Sequence, residues 1–225
     1  MIFSLFLSLF LLSPDSKPPK IPPGTVQIGT NLFADQSEIR ERDWSEYYFW
    51  RKFKRLDPSL DESLMDPSNI DSTLAQSTTP SSFYPRTSIT YGEAKAYCQW
   101  RTDFVNTMRY SGTNLKVIYR LPTKEEFELM VEYEREYFLK RSKKIEKKVT
   151  EYSGQLNLVE DYGKKKKRIY GLFHNAAEMS NDKGLAYGMS NETFTRFGEP
   201  LAEVRYEGSA YWVGFRCVAE FVEKE

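Results

Sequence analysis

Tyr119-Arg120-Leu121-Pro122-Thr123-Lys124-Glu125-Glu126-Phe127 is an extended run that stops at a proline and turns into a helix. Val117 to Leu121 supplies the strand, and Pro122 ends it because it has no amide to donate. Thr123 is a good N-cap, since its hydroxyl accepts a hydrogen bond from an otherwise orphaned amide of the first turn. Glu126, three residues on, reaches back to the Thr123 amide and completes a capping box. Phe127, Met130, Val131, Glu134, Tyr137 and Phe138 then recur at helical spacing, an apolar stripe broken only by Glu134.

Working outward, Thr90 and Glu93 form a second capping box. Ala94, Tyr97, Cys98, Arg101, Phe104, Val105 and Met108 follow it at helical spacing, with Gln99 and Trp100 to the side. Earlier, Asp43 and Glu46 read as the cap of an aromatic-faced helix running to Leu56. Gly24-Thr25-Val26-Gln27-Ile28-Gly29 alternates as a short strand bounded by glycines. Residues 57–82 turn to Asp, Pro, Ser and Thr and read as a long surface excursion. A basic stretch, Lys140 to Lys148, and a second, Lys164 to Arg168, read as part of a solvated insertion over 140–168. After Ile169 short apolar runs alternate with Gly, Asn and Ser, as short strands and tight turns do.

Bulk properties narrow the function. The chain has 225 residues, equal numbers of basic and acidic side chains and a formal net charge of zero, so no global field favours nucleic acid. One histidine, His174, excludes a multi-histidine metal site. Met1 to Leu12 is almost purely apolar, too short to span a bilayer and similar to the core of a signal peptide. Residues 1–16 are therefore expected to be an export signal, and 17–225 a single domain. Two cysteines, Cys98 and Cys217, suit an oxidising compartment, either as one disulfide or as two buried thiols. As a disulfide they would close a loop of roughly 120 residues, worth about 4–5 kcal/mol in the chain-entropy model.

Five segments in order resemble the formylglycine-generating-enzyme, or sulfatase-modifying-factor, family. They are Ile21 to Gly29, Ser88 to Trp100, Tyr119 to Phe127, Tyr170-Gly171-Leu172-Phe173-His174-Asn175-Ala176-Ala177-Glu178-Met179, and Gly214-Phe215-Arg216-Cys217-Val218. The helix from Asp43 to Trp50 and the Ala177-Glu178-Met179 variant are most similar to the branch found among gliding-motility lipoproteins of the cell envelope. The resemblance implies a loop-rich α+β fold related to the C-type lectins, with a few helices packed about small antiparallel sheets. It also implies that Cys98 and Cys217 are bonded.

Active members of that family oxidise a substrate cysteine to formylglycine with copper held by two thiolates, ligands soft enough for copper(I). The matching region here, Met189 to Val213, contains no cysteine, and the family's glycine-glycine-serine element survives only as Tyr187-Gly188-Met189-Ser190-Asn191. The expectation is thus an exported, catalytically silent binding or scaffolding module of the periplasm or outer envelope. It would have protein partners, no nucleic acid, no metal and no cofactor. The alternative is a copper-dependent formylglycine-generating oxidase. A third reading, polyanion binding through the two basic stretches, predicts affinity that drops steeply with salt.

For a binding module, the loops 57–82 and 181–200 carry recognition. Tyr187, Phe194 and Phe197 are the candidate anchors, with burial in the core the alternative for each, and His174, where the resembling family carries an aspartate, joins the candidate surface on the former active-site face. Thr123, Glu126, Arg120 and Arg216 are structural. Both arginines are expected in or near the core, donating to backbone carbonyls, so that losing either unfolds the domain. Glu125, Glu126 and Glu128 lie in the first turn of a helix, where they favour its dipole rather than form an acid site. Asn181 and Asp182 lack the ligand spacing of a calcium loop.

Overall fold

A computed structural model describes residues 21–54, 83–151, 156, 159, 168–173, 175–188 and 202–224. Two four-stranded sheets and three helices make up the described architecture. The first sheet has the order β1 (Thr25–Gln27), β2 (Phe33–Asp35), β8 (Val218–Glu223), β3 (Leu115–Arg120), antiparallel throughout. The second has the order β6 (Glu203–Arg205), β5 (Leu185–Tyr187), β4 (Ala177–Met179), β7 (Val213–Gly214). Its β4–β7 pair is parallel, a departure from purely antiparallel sheets. An α+β, loop-rich fold is what the sequence led us to expect.

The opening stretch folds as read. Leu115–Arg120 is β3, and α3 (Lys124–Glu151) starts one residue past Thr123. The Glu126 amide donates to Thr123 Oγ1 at 3.4 Å, and the Thr123 amide donates to Glu126 Oε2 at 2.8 Å. β3 is the last strand of its sheet, an edge whose outward backbone groups need partners. Helix α2 (Tyr91–Arg109) supplies them from two side chains one turn apart. Thr102 Oγ1 accepts from the Tyr119 amide at 2.8 Å, and Asn106 brackets Val117, accepting from its amide at 2.9 Å and donating to its carbonyl at 2.7 Å. The Thr90–Glu93 box caps α2.

Two boundaries differ from the sequence reading. Helix α1 (Glu41–Lys54) begins before Asp43, so Asp43 is not the N-cap. Asp43 instead accepts from the Arg40 amide at 3.2 Å, the back-reaching half of a box with Arg40 outside the helix. Helix α3 runs on through the basic stretch Lys140–Lys148 to Glu151, where a surface insertion was expected. That stretch is rich in good helix formers, and no glycine or proline interrupts it. The sequence-expected leader 1–16, excursion 57–82 and Lys164–Lys167 lie outside the described residues.

The larger core cluster gathers Trp44 and Tyr47 of α1, Tyr97 and Cys98 of α2, and Phe215 and Cys217 of the closing segment. Trp44 stacks on Tyr97 with ring centroids 5.8 Å apart, and Phe215 meets Tyr97 edge to face at 5.3 Å. A second cluster joins Phe127, Met130 and Val131 of α3 to Leu172, Tyr187 and Val218. Met108, expected on the buried face of α2, is 48% exposed.

Candidate functional site

Between the two sheets the chain buries a network of charge. Asp35 ends β2, Glu38 sits in the link to α1, Glu178 is the middle residue of β4, and Arg216 lies between β7 and β8; all four are buried. Arg216, wholly buried, forks onto both carboxylate oxygens of Glu178. Its remaining donors reach the Asp35 carbonyl at 3.1 Å and the Tyr170 carbonyl at 2.8 Å. One guanidinium therefore ties the first sheet, the second sheet and the chain at Tyr170 together. Asp35 Oδ2 accepts from Arg101 Nη1 at 2.7 Å and from the Cys217 amide at 2.8 Å.

Glu38 holds the chain just before β4, accepting from Asn175 Nδ2 at 2.9 Å and from the Ala176 amide at 3.2 Å. Its carboxylate occupies the place where residue 171 would put a side chain. A Cβ there would lie 2.5 Å from Glu38 Oε2, and the backbone has φ +80°, so only glycine fits. Asn175 also takes positive φ, at 90°, a conformation asparagine tolerates better than most residues. Burial, with the nearby charge of Glu178, pushes Glu38 up to about 8, against the pull of Arg216 and its two hydrogen bonds. Burial also raises Glu178 despite its pairing with Arg216. Burial alone would lower Arg216, but Glu178, then Glu38 and Asp35, hold it above its ordinary value.

Cys98 and Cys217 meet in the core, their sulfurs 2.9 Å apart as free thiols, both buried. Burial first, then the contact with Cys98, raises the Cys217 thiol well above its usual range. The two residues matched on sequence are thus adjacent in space; a covalent bond between them remains a proposal. Next to them a cavity of about 350 Å³ opens between α2, the start of α1 and the chain around Pro23. Of its charged walls, Arg101 pairs with Asp35 at 2.7 Å and Arg40 with Asp43 at 2.8 Å, while Glu38, Glu46 and Arg109 also line it.

The sequence-picked residues fare unevenly. Tyr187, expected as a surface anchor, is only 2% exposed; it packs on Phe127 at a centroid distance of 5.2 Å, because β5 turns that side inward to α3. His174, Phe194 and Phe197 lie outside the described residues, as does 189–200 of the candidate loop 181–200. Arg216 is in the core and donates to carbonyls as expected. Arg120 lies outside it: it is half-buried, donates to the Leu121 carbonyl at 3.4 Å, and pairs with Glu126 through two 2.7 Å contacts and with Glu220 at 3.1 Å. Its place on a sheet face open to solvent makes its loss a matter of surface ion pairs rather than unfolding. Glu126 serves both the cap and this pair. Among the described residues no group of three or more His, Cys, Asp or Glu is placed to hold a metal ion.

Sequence reasoning passed over Asp35, at the end of a three-residue strand, and Glu38, in the short link after it, and read Arg101 only as one position of the α2 stripe. Glu134 did leave a signal, as the one charge in the α3 stripe. It is buried, and accepts from Arg168 Nε at 2.9 Å and from the Ile169 amide at 3.0 Å. Glu134→Ala strands both donors and is expected to cost about 2–3 kcal/mol, read as a lowered urea midpoint at unchanged slope.

Comparison with known proteins gives the family. The family model described as "Sulfatase-modifying factor enzyme 1-like domain" matches residues 13–221. No curated protein matches the sequence. Two solved structures are similar at low identity. One, titled "Crystal Structure of CarF", is 15% identical over 88% of this chain and 95% of that one, with a TM-score of 0.47. The other, "Treponema denticola variable protein 1", is 14% identical over 84% of each chain, with a TM-score of 0.48. On the strength of a family match over nearly its whole length, the chain belongs to the sulfatase-modifying factor enzyme 1-like family.

Proposed function

We propose that this chain is an exported, non-catalytic member of its family, working as a binding or scaffolding module in the cell envelope, closest to the gliding-motility lipoprotein-like branch. The observation that carries the non-catalytic part is the location of its sulfur. The chain has two cysteines in all, and both lie in the core in contact with one another. Thiolate chemistry at copper needs deprotonated, reachable sulfurs. Cys217 is held protonated by its burial, and Asp35 receives its amide from the other side. Two thiolates on opposite sides of one metal, each bonded at about 2.3 Å as zinc thiolates are, would stand roughly 4.6 Å apart. The 2.9 Å contact does not leave room for that arrangement. These residues do not fit the family's copper site.

Partner proteins would engage the segments 57–82 and 181–200, the portions richest in polar and turn-forming residues. The test has two arms. Purified full-length chain titrated with copper(I) is expected to retain none after desalting, and a cysteine-containing sulfatase peptide incubated with it in air should gain no aldehyde. A stoichiometric cuprous adduct together with aldehyde formation would establish the oxidase reading instead. Cross-linking in the envelope fraction, followed by mass spectrometry, is expected to recover protein partners that are lost when 57–82 is deleted. Recovery of the chain from the cytosol with its first residues intact would sink the export assignment.

A further inference from the structure

Independently of any partner in the envelope, the cavity between α2, the start of α1 and the chain around Pro23 has the make-up of a ligand site. Its volume of about 350 Å³ suits a small molecule, for which pockets run from about 300 to 1,000 Å³. Two of its walls, Asp35 and Glu38, are buried acids. With Glu178 they make three buried carboxyls for two buried guanidiniums, Arg101 and Arg216. Both oxygens of Glu38 accept from N–H donors, which favours its ionised form, while desolvation opposes it. A cation in the cavity would offset that surplus charge.

Surplus charge alone selects no ligand; polar atoms without partners do. Asp35 is 3% exposed, and its Oδ2 takes both Arg101 and the Cys217 amide, but its Oδ1 accepts nothing among the described residues. Trp100, another wall, has a buried indole Nε1 that donates to nothing. An open acceptor and an open donor, both shut away from bulk water, each cost free energy until something fills them. Glu46 of α1, an exposed residue lining the same cavity, makes no hydrogen bond or ion pair among the described residues. The rest of the α2 wall is aromatic: Tyr97, Trp100 and Phe104, with Trp100 stacked on Phe104 at 5.4 Å. Carboxylates beside aromatic rings favour an organic cation over a hydrated metal ion.

We propose that this cavity binds a small hydroxylated primary amine. Its ammonium donates to Asp35 Oδ1 and offsets the surplus acid, its hydroxyl accepts from Trp100 Nε1, and its carbon skeleton lies against the aromatic wall. Glu46 adds attraction from the solvent side. A quaternary ammonium has no N–H to give Asp35, and an inorganic cation has no oxygen for the indole, so neither should replace the amine.

Calorimetric titration of the full chain at pH 7 and fixed ionic strength tests this with ethanolamine and glucosamine, which carry the same two groups on a short chain and on a sugar. Saturable binding of at least one is expected, with choline and potassium chloride at least tenfold weaker. In the wild type the Trp100 indole N–H resonance should move on saturation. Trp100→Phe, which keeps a ring and removes the donor, should weaken binding about tenfold, and Glu46→Gln about threefold. No saturable binding of either amine at millimolar concentration overturns the proposal. So does equal binding of choline or potassium, or affinity unchanged in both variants. If Trp100→Phe does not fold, the wild-type indole resonance decides: saturation that leaves it in place places the amine elsewhere and overturns the assignment.

Discussion

Arg216→Met should unfold the domain or leave it barely folded, at an expected cost on the order of 3–5 kcal/mol. The substitution keeps much of the side-chain volume and removes every donor at once. Glu178 would remain buried without a cation, and the Asp35 and Tyr170 carbonyls would each lose a hydrogen bond. Total stability of a domain is about 5–15 kcal/mol, so a loss of this size is a large share of it. Lysine is not a rescue. Its point charge cannot fork onto a carboxylate and also reach two carbonyls on opposite sides.

The explanation separates from mere loss of packing through a second change. If the cost is a stranded carboxylate, Arg216→Met with Glu178→Gln should recover part of the stability lost by Arg216→Met alone. A purely steric role predicts that the two costs add. Urea midpoints for the two single variants and the double variant close the cycle.

Asp35→Ala is expected to be the next most damaging change, at about 3–4 kcal/mol. Asp35 joins α2 to the closing segment, since one carboxylate oxygen takes both the Arg101 guanidinium and the Cys217 amide. Without it, among the described residues Arg101 keeps the Pro23 carbonyl at 2.9 Å and the face of Tyr119, 4.2 Å from its guanidinium carbon. A cation over an aromatic ring is worth about 0.5–2 kcal/mol, which does not replace a buried ion pair. Asp35→Asn should cost less, because the amide oxygen still accepts from the Cys217 amide. Equal losses for the alanine and asparagine variants would mean that the charge, rather than that hydrogen bond, carries the effect.

Local features were legible along the chain. The Thr123–Glu126 and Thr90–Glu93 boxes, the strand before Pro122 and the apolar stripes of α2 and α3 all depend on residues a few positions apart. The errors arose where a neighbour distant in sequence decides. Tyr187 is placed among the candidate anchors because it lies in a loop stretch of the kind that carries recognition, with burial as the alternative; Phe127, sixty positions earlier, packs on it. Arg120 and Arg216 both follow aromatic-rich patterns. One pairs with Glu126 and Glu220 on an open sheet face, while the other is enclosed by both sheets. The end of α3 was missed for a different reason: lysine favours a helix nearly as well as alanine does, so a run of charge carries no stop signal.

The sequence by itself determined the family, the order of the main helices and strands, and the count of two cysteines. The elements and the cysteine count are properties of short windows or of composition, set by hydrogen-bond reach along the chain and by the periods of helix and strand; the family rests on the resemblance of five segments in order. Only the tertiary structure decided that five charges from β2, its following link, α2, β4 and the closing segment converge with one acid in excess. Electrostatic neutrality in a buried volume depends on which groups share that volume. Residues 35, 38, 101, 178 and 216 come to share it only when the two sheets close on each other.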